Sequence, residues 1–292
     1  MLKAGSDETL ASFVFLIPLP ILVFRTVALA DFSGGSPWLL WLAYYIAFAI
    51  AWVAGTVIVR RLFGRDARSG VVGGLSSAYA NSLLLGIPLI ISAYGNEGAA
   101  AMSLLIALNL PIMMTISAIL IEHALVADGV SQGTHTKAIV KSVARSMAVN
   151  PVVASIVVGL AWRFTGLPVA GPVGTLANRL ADVAGTLALF SVGMNLRRYG
   201  VSGNLQPALM VTVVKLLLMP LIVFVLVATV IPLPPVWAKA LVIAAACPTG
   251  VNAWIVAARF ETGQALSSNA IVISTAGAVL SVAVWLHLVE WL

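Results

Sequence analysis

Long uncharged, mostly apolar runs follow one another along the chain at 37–59, 69–96, 98–121, 216–238 and 240–258. Each is long enough to cross a bilayer as a helix, which takes about 20 residues. Four further segments qualify less cleanly. Residues 9–30 contain Arg25, 146–162 is short, 176–196 carries Arg179 and Asp182, and 262–289 is long enough to tilt. The pattern predicts nine spans. Alternation with period two over strand-sized segments, the mark of a membrane barrel, does not occur, so the expected fold class is an all-α polytopic membrane bundle.

Two of these spans are interrupted by residues that disfavour a continuous helix. In the third, Asn81, Ser82, Gly86 and Pro88 fall inside an apolar run; in the eighth, Cys247, Pro248, Thr249, Gly250 and Asn252 do the same. Proline removes a backbone donor and clashes with the carbonyl four residues back, and glycine loosens the same turn, so both spans are expected to break near their midpoints. Unpaired backbone at membrane depth is tolerated only where protein or a water-filled cavity satisfies it. Paired breaks in corresponding spans of two halves are the best sequence-level pointer to a transporter's central site. Half-helix N-termini after Pro88 and Pro248 would present positive dipole ends to an anion, and the two Asn amides would bind it without a buried charge. The competing reading is a pair of ordinary kinked membrane helices.

Charge changes the picture in one respect. Only 9% of residues are charged and 61% are apolar, which excludes an ordinary soluble domain, and the net charge is +6. Of the 16 basic residues, 11 sit in alternate connections or at the N-terminus: Lys3, Arg60, Arg61, Arg65, Arg68, Lys137, Lys141, Arg145, Arg197, Arg198 and Arg259. The positive-inside bias assigns these to the cytoplasm, with the N-terminus inside and, for nine spans, the C-terminus periplasmic. A bilayer rather than nucleic acid therefore accounts for the basicity. The polar connection at 127–138 divides the chain into a four-span first repeat, 1–126, and a five-span second repeat, 139–292. Gly98 and Gly263, each opening a span after a polar turn, lie 165 residues apart. A duplicated five-helix unit would insert in opposite orientations, giving an inverted repeat whose first copy here lacks its opening helix.

The segments PLPILVFRTVALADF at 18–32, NSLLLGIPLI at 81–90 followed by YGNEG, Asn150-Pro151, LALFSVGMNL at 187–196, KLLLMPLIV at 215–223 and ACPTGVNAWIVA at 246–257 resemble the auxin efflux carrier family from about residue 8 onward. The resemblance implies a secondary transporter of ten helices in two inverted repeats, with a scaffold part and a transport part holding two crossed, proline-broken helices. It also implies a fold similar to that of the bile acid sodium symporters. On this basis the crossing lies at Pro88 and Pro248, with Asn81 and Asn252 as substrate contacts. Bacterial-type members of this length are associated with malate, malonate and other small carboxylates, so the plant hormone itself is not implied.

The remaining polar residues leave alternatives open. Lys215 is the only charge between Tyr199 and Ala238, and an intramembrane ion is a functional hypothesis by default, against snorkelling as the alternative. Asp182 is its candidate counterion or a proton acceptor, or else pairs with Arg179 one turn earlier. Arg25 is a candidate partner for Asp31, and Glu122 with His123 reads as a solvated helix end rather than a proton relay. Asn109 with Pro111, and Asn150 with Pro151, either line the cavity or satisfy kinked backbone. Gly73, Gly74, Ser76, Ser77 and Ala78 read as close-packing positions. The expected function is alternating-access transport of a small organic anion, malate- or malonate-like or an auxin-like acid, across the inner membrane. H+ or Na+ is the coupling ion, no cofactor or metal is used, and a homodimer is an open option. A channel, and a sodium-coupled symporter of the bile-acid type, are the alternatives. An enzyme is disfavoured because His123, His135 and His287 do not converge and Cys247 stands alone, and ATP-driven transport because no phosphate-binding loop motif occurs.

Overall fold

The computed structural model describes residues 6–30, 35–131, 141, 144–145, 147–199, 203 and 205–292. Among these residues every regular element is a helix, and the one extended pairing is an isolated bridge between Ala80 and Thr249. Helices α1 (Ser6–Leu16) and α2 (Pro18–Leu29) run on from each other, followed by α3 (Pro37–Val57), which ends in a π turn, Ile58–Leu62. Helix α4 (Ala67–Ala78) stops short, a π turn (Ser82–Gly86) follows, and α5 (Ile87–Ala127) continues from it. The second part of the chain contains α6 (Pro151–Thr165), α7 (Gly171–Tyr199), α8 (Gln206–Val213), a third π turn (Val214–Leu218) and α9 (Met219–Thr229). Helices α10 (Pro235–Ala246), α11 (Asn252–Arg259) and α12 (Gln264–Leu288) complete it.

Local chemistry sets most boundaries. Pro37, Pro151 and Pro235 open their helices, where a missing N–H is harmless. The Asn150 side chain accepts from the N–H groups of Val152 and Val153 and caps α6, which Gly166 closes in the left-handed conformation at φ 67°. Helix α4 begins under two carboxylates. Asp66 accepts from Ser69 N at 2.9 Å, while Asp128, just past the end of α5, accepts from Ala67 N at 2.8 Å and Arg68 N at 3.1 Å. Partial burial tends to raise the Asp128 carboxyl. The two backbone donors and the Arg68 guanidinium, 3.0 Å away, outweigh that and hold it below the ordinary aspartate range.

Among the described residues, five stretches are long and apolar enough to cross a membrane: Thr9–Leu29, Pro37–Leu62, Ser82–Ala127, Gln206–Thr229 and Gln264–Trp291. The shortfall from nine has a physical basis. The interrupted spans are split into pieces shorter than a bilayer, Pro151–Thr165 and Pro235–Ala246 are short apolar helices, and α7 carries charge. The 46-residue stretch Ser82–Ala127 is not one rod, because Gly95 turns the chain at φ 59°, ψ −147°. That conformation is open to glycine alone. The turn lies in the Tyr94–Glu97 segment expected to separate the third and fourth spans.

Packing gathers the helices into two groups. Helices α1 and α2 pack on α6 and α7, while α3, α4, α8, α9, α10 and α12 pack on one another, with α5 against α4 and α10. Neither group is confined to one half of the chain. The α3–α4 contact is close because its residues are small: a Cβ on Gly55 would lie 2.2 Å from Ser77 Oγ, and one on Gly74 would lie 2.4 Å from Thr56 Oγ1. This is the packing role expected for Gly73, Gly74 and Ser77. Lys3, Asp31, His135, Lys137 and most of the 127–138 connection lie outside the described residues, as do the side chains of Arg197 and Arg198.

Candidate functional site

The two interruptions meet. Helix α4 ends at Ala78, Tyr79 is extended (φ −82°, ψ 115°), and helix resumes at Ser82. Helix α10 ends at Ala246, Cys247 is extended (φ −58°, ψ 146°), and helix resumes at Asn252. The extended segments lie antiparallel. Asn81 N donates to Pro248 O at 2.8 Å, and Gly250 N donates to Tyr79 O at 2.9 Å. Backbone groups released by each break are thus satisfied by the other. Gly250 is required here, since a Cβ would fall 2.5 Å from the Tyr79 ring and 3.1 Å from Ala80 O. Side chains close the remaining gaps. Thr249 Oγ1 donates to Ser76 O at 2.8 Å, in the last turn of α4, and Thr249 N donates to Ser274 Oγ of α12 at 3.0 Å.

The position of the first break corrects the expectation drawn from Pro88. The crossing falls at 79–81, before the proline, which sits at the second residue of α5. The π turn Ser82–Gly86 immediately before it loosens the helix where the proline ring would clash, so the chain is not interrupted there. The same device recurs at Val214–Leu218, followed by Met219 and Pro220. The carbonyl that Pro220 leaves without its helical donor, Leu216 O, accepts from Trp285 Nε1 at 2.9 Å.

Beside the crossing lies a cavity of about 220 Å³, bounded by Asn81, Ser82, Asn109, Asn150, Asn252 and apolar side chains that include Phe15 and Met114. It occupies the side of the crossing toward which α11 runs to Arg259 and from which α6 starts. Four amides therefore converge, two from the breaks and two from α5 and the start of α6. Asn252 Nδ2 donates to the Tyr79 hydroxyl at 2.8 Å, which fixes its orientation. Asn150 Oδ1 is committed to its helix cap. Asn109 Oδ1 is buried with no partner in the protein, and a buried polar atom without one carries a cost that a ligand or water relieves. The donors at the start of the Ser82 helix add to this. Asn81 O accepts from both Leu85 N and Gly86 N, so the N–H groups of Ser82, Leu83 and Leu84, three residues that line the cavity, lie ahead of that helix's first hydrogen bond.

The other expected site residues have different places. Pro248, Thr249 and Gly250 form the crossing itself. Gly86 packs beyond it, where a Cβ would meet Met102 Cε at 2.6 Å and Cys247 Sγ at 3.4 Å, and Pro88 abuts Gly185 of α7. Asp182 and Lys215 are not brought together. The Asp182 carboxylate, 63% exposed, pairs with Arg25 Nη1 at 2.6 Å and joins α2 to α7, in place of either Lys215 or Arg179. Lys215 is wholly buried and donates to Ala245 O at 2.5 Å. Tyr79 was not anticipated, since an aromatic residue in an apolar run carries no polar signal. A second cavity, about 310 Å³, lies at the opposite end of the bundle, where α2 ends, α5 turns at Gly95 and α10 starts, and Arg25, Asn96 and Glu97 line it.

The protein matches, over residues 1–286, the family described as "Membrane transport protein". It is 24% identical over 298 residues to a Rhizobium meliloti (strain 1021) protein named "Putative malonate transporter", covering 96% of this chain and 86% of the relative. It is also 25% identical over 280 residues to an "Uncharacterized transporter" of Methanothermobacter thermautotrophicus (strain Delta H), covering 95% of this chain and 87% of the relative. With apolar helices able to cross a membrane and two interrupted ones crossing inside, the chain belongs to this membrane transport protein family, that of the auxin efflux carriers.

Proposed function

We propose that the protein is a secondary carrier of a small organic anion, of the size and charge of malonate or malate, working by alternating access in the inner membrane. The observation that carries this reading is the cavity of about 220 Å³ at the crossing, with unpartnered Asn109 Oδ1 in its wall. It is smaller than the roughly 300–1,000 Å³ of clefts built for drug-sized ligands, which favours a solute of few carbon atoms. Amides and helix N-termini supply donors for carboxylate oxygens without a fixed cation that would hold the anion too tightly to release. The name of the Rhizobium relative points to the same substrate class.

The membrane arrangement that supports this function has nine spans, with α4 plus the first part of α5, and α10 plus α11, each counted as one broken span. The two-way exchange of hydrogen bonds between the breaks is what a pseudo-two-fold axis between inverted repeats would produce. With the basic connections in the cytoplasm, the cavity faces inward and the second cavity, with Arg25 at its rim, faces the periplasm. The α1, α2, α6, α7 group then serves as the scaffold against which the other helices move.

The test is uptake into proteoliposomes with labelled malonate, malate, succinate and an auxin-like monocarboxylate. Saturable flux of a dicarboxylate is expected, reduced at least about tenfold, or about 1.4 kcal/mol, by Asn81→Ala and by Asn252→Ala, with the folded protein retained. Undiminished flux in both variants would remove the site.

A further inference from the structure

Breaking α10 inside the membrane leaves carbonyls at its C-terminal end that the helix can no longer satisfy. Ile243 O still accepts from Cys247 N. Beyond it the ladder fails, because Pro248 has no N–H, Thr249 N turns to Ser274 Oγ, and Gly250 N turns to Tyr79 O. The freed carbonyls coincide with the negative end of the half-helix dipole. In inverted-repeat carriers such half-helix ends and unwound carbonyls are where a coupling cation binds.

In this protein a side chain already occupies that position. Lys215 Nζ lies 2.5 Å from Ala245 O and 3.5 Å from Met219 Sδ, with no exposure at all. The acidic side chains whose ion pairs are described elsewhere in the bundle are committed to other partners: Asp182 to Arg25, Glu290 to Lys239, and Asp66 and Asp128 to Arg68. The π turn Val214–Leu218 carries Lys215, and it is anchored on its other side by the Trp285 bond to Leu216 O. The first break has no such cation: its terminal carbonyl at Ser76 is met by the Thr249 hydroxyl.

We propose that the Lys215 ammonium is a tethered substitute for a dissociable coupling cation. It fills the carbonyl end of α10, so that the crossing is held together without Na+, and its removal creates a site for a small monovalent cation. The consequence for flux rests on the carrier reading above, whereas occupancy of the site does not.

The experiment therefore reads melting temperature of the purified protein as well as flux. Wild type is expected to melt at the same temperature, and to transport at the same rate, in Na+ and in choline. Lys215→Ala is expected to melt lower in choline and to lose flux at least about tenfold. Methylammonium or Na+ should raise both again, while Lys215→Met, which fills the space with an apolar chain, should gain nothing from either ion. Stabilisation or faster flux of wild type in Na+ would overturn the proposal, and it applies even where Lys215→Ala fails to fold. A Lys215→Ala protein that folds and is indifferent to every cation would overturn it equally. Cation-dependent melting in a protein that transports none of the acids offered would sink the carrier reading and leave the tethered cation standing.

Discussion

The two breaks share a backbone pairing and differ in how their ends are finished. At the first, Ser76 O takes a neutral hydroxyl, and the helix that follows starts loosely, with one carbonyl, Asn81 O, serving two donors. At the second, Ala245 O takes the Lys215 amino group, and the restart is tight, since Ala253 N and Trp254 N bond back three residues to Gly250 O and Val251 O. The loose start leaves the N–H groups ahead of its first hydrogen bond beside the cavity. The tight one leaves little beyond the Asn252 amide. The first break thus supplies the binding chemistry and the second supplies the anchor, although both have the same outline in the chain.

The sharpest way to break this comparison is to part the segments. Gly250→Val places methyl groups where even a Cβ would be 2.5 Å from the Tyr79 ring. Overpacking of this kind costs about 1–3 kcal/mol or more, and here it also removes the backbone pair, so loss of both folded yield and flux is expected in size-exclusion and uptake measurements. Next is Thr249→Val, which keeps the shape but leaves Ser76 O without its partner, at a cost of about 1–3 kcal/mol. Its melting temperature should fall, with no recovery in methylammonium, whereas Lys215→Ala recovers. If both responded alike, the distinction between the two ends would be lost. Smaller again is Tyr79→Phe. It frees the Asn252 amide without touching the backbone, and a severalfold rise in the KM for transport with unchanged melting is expected.

The smallest effect belongs to Asp128→Asn at the far end of α4. The Asp128 carboxyl is held below its ordinary value by the fold, so its stabilisation is present at neutral pH and is lost as pH falls through the folded value. The gap in melting temperature between wild type and Asp128→Asn should be open at pH 7 and close on acidification. A gap that widened in acid would refute the assignment.

Much of this architecture is legible in the chain because glycine and proline act on the backbone directly. Pro248 and Gly250 lie in the break they announce. Pro88 misleads by about two turns, because a π turn absorbs its clash and nothing in Ser82-Leu-Leu-Leu-Gly86 spells a π turn. The amides Asn81 and Asn252 stand out in apolar runs and do line the cavity. Asn109 and Asn150 were equally visible, but whether each served cavity or cap depended on what lay across the bundle. The partner of Lys215 could not be found by looking for an acid, since a carbonyl oxygen belongs to every residue and is marked by none. Arg25 and Asp182 form their pair through space, between helices far apart in the chain.

The π turns at Ser82–Gly86 and Val214–Leu218 have one more consequence. Each amounts to a surplus amino acid carried by an otherwise regular rod, so losing a single leucine from either run would let the rod rewind. The residues beyond would stay nearly in place, because a π turn spends five residues on the rotation that an α-helix completes with four. What would be lost is the slack ahead of each proline, so that the Pro88 and Pro220 rings would press on the carbonyl four residues back. A one-codon deletion there would therefore kink the rod at its proline, although the composition of the membrane segment would hardly change.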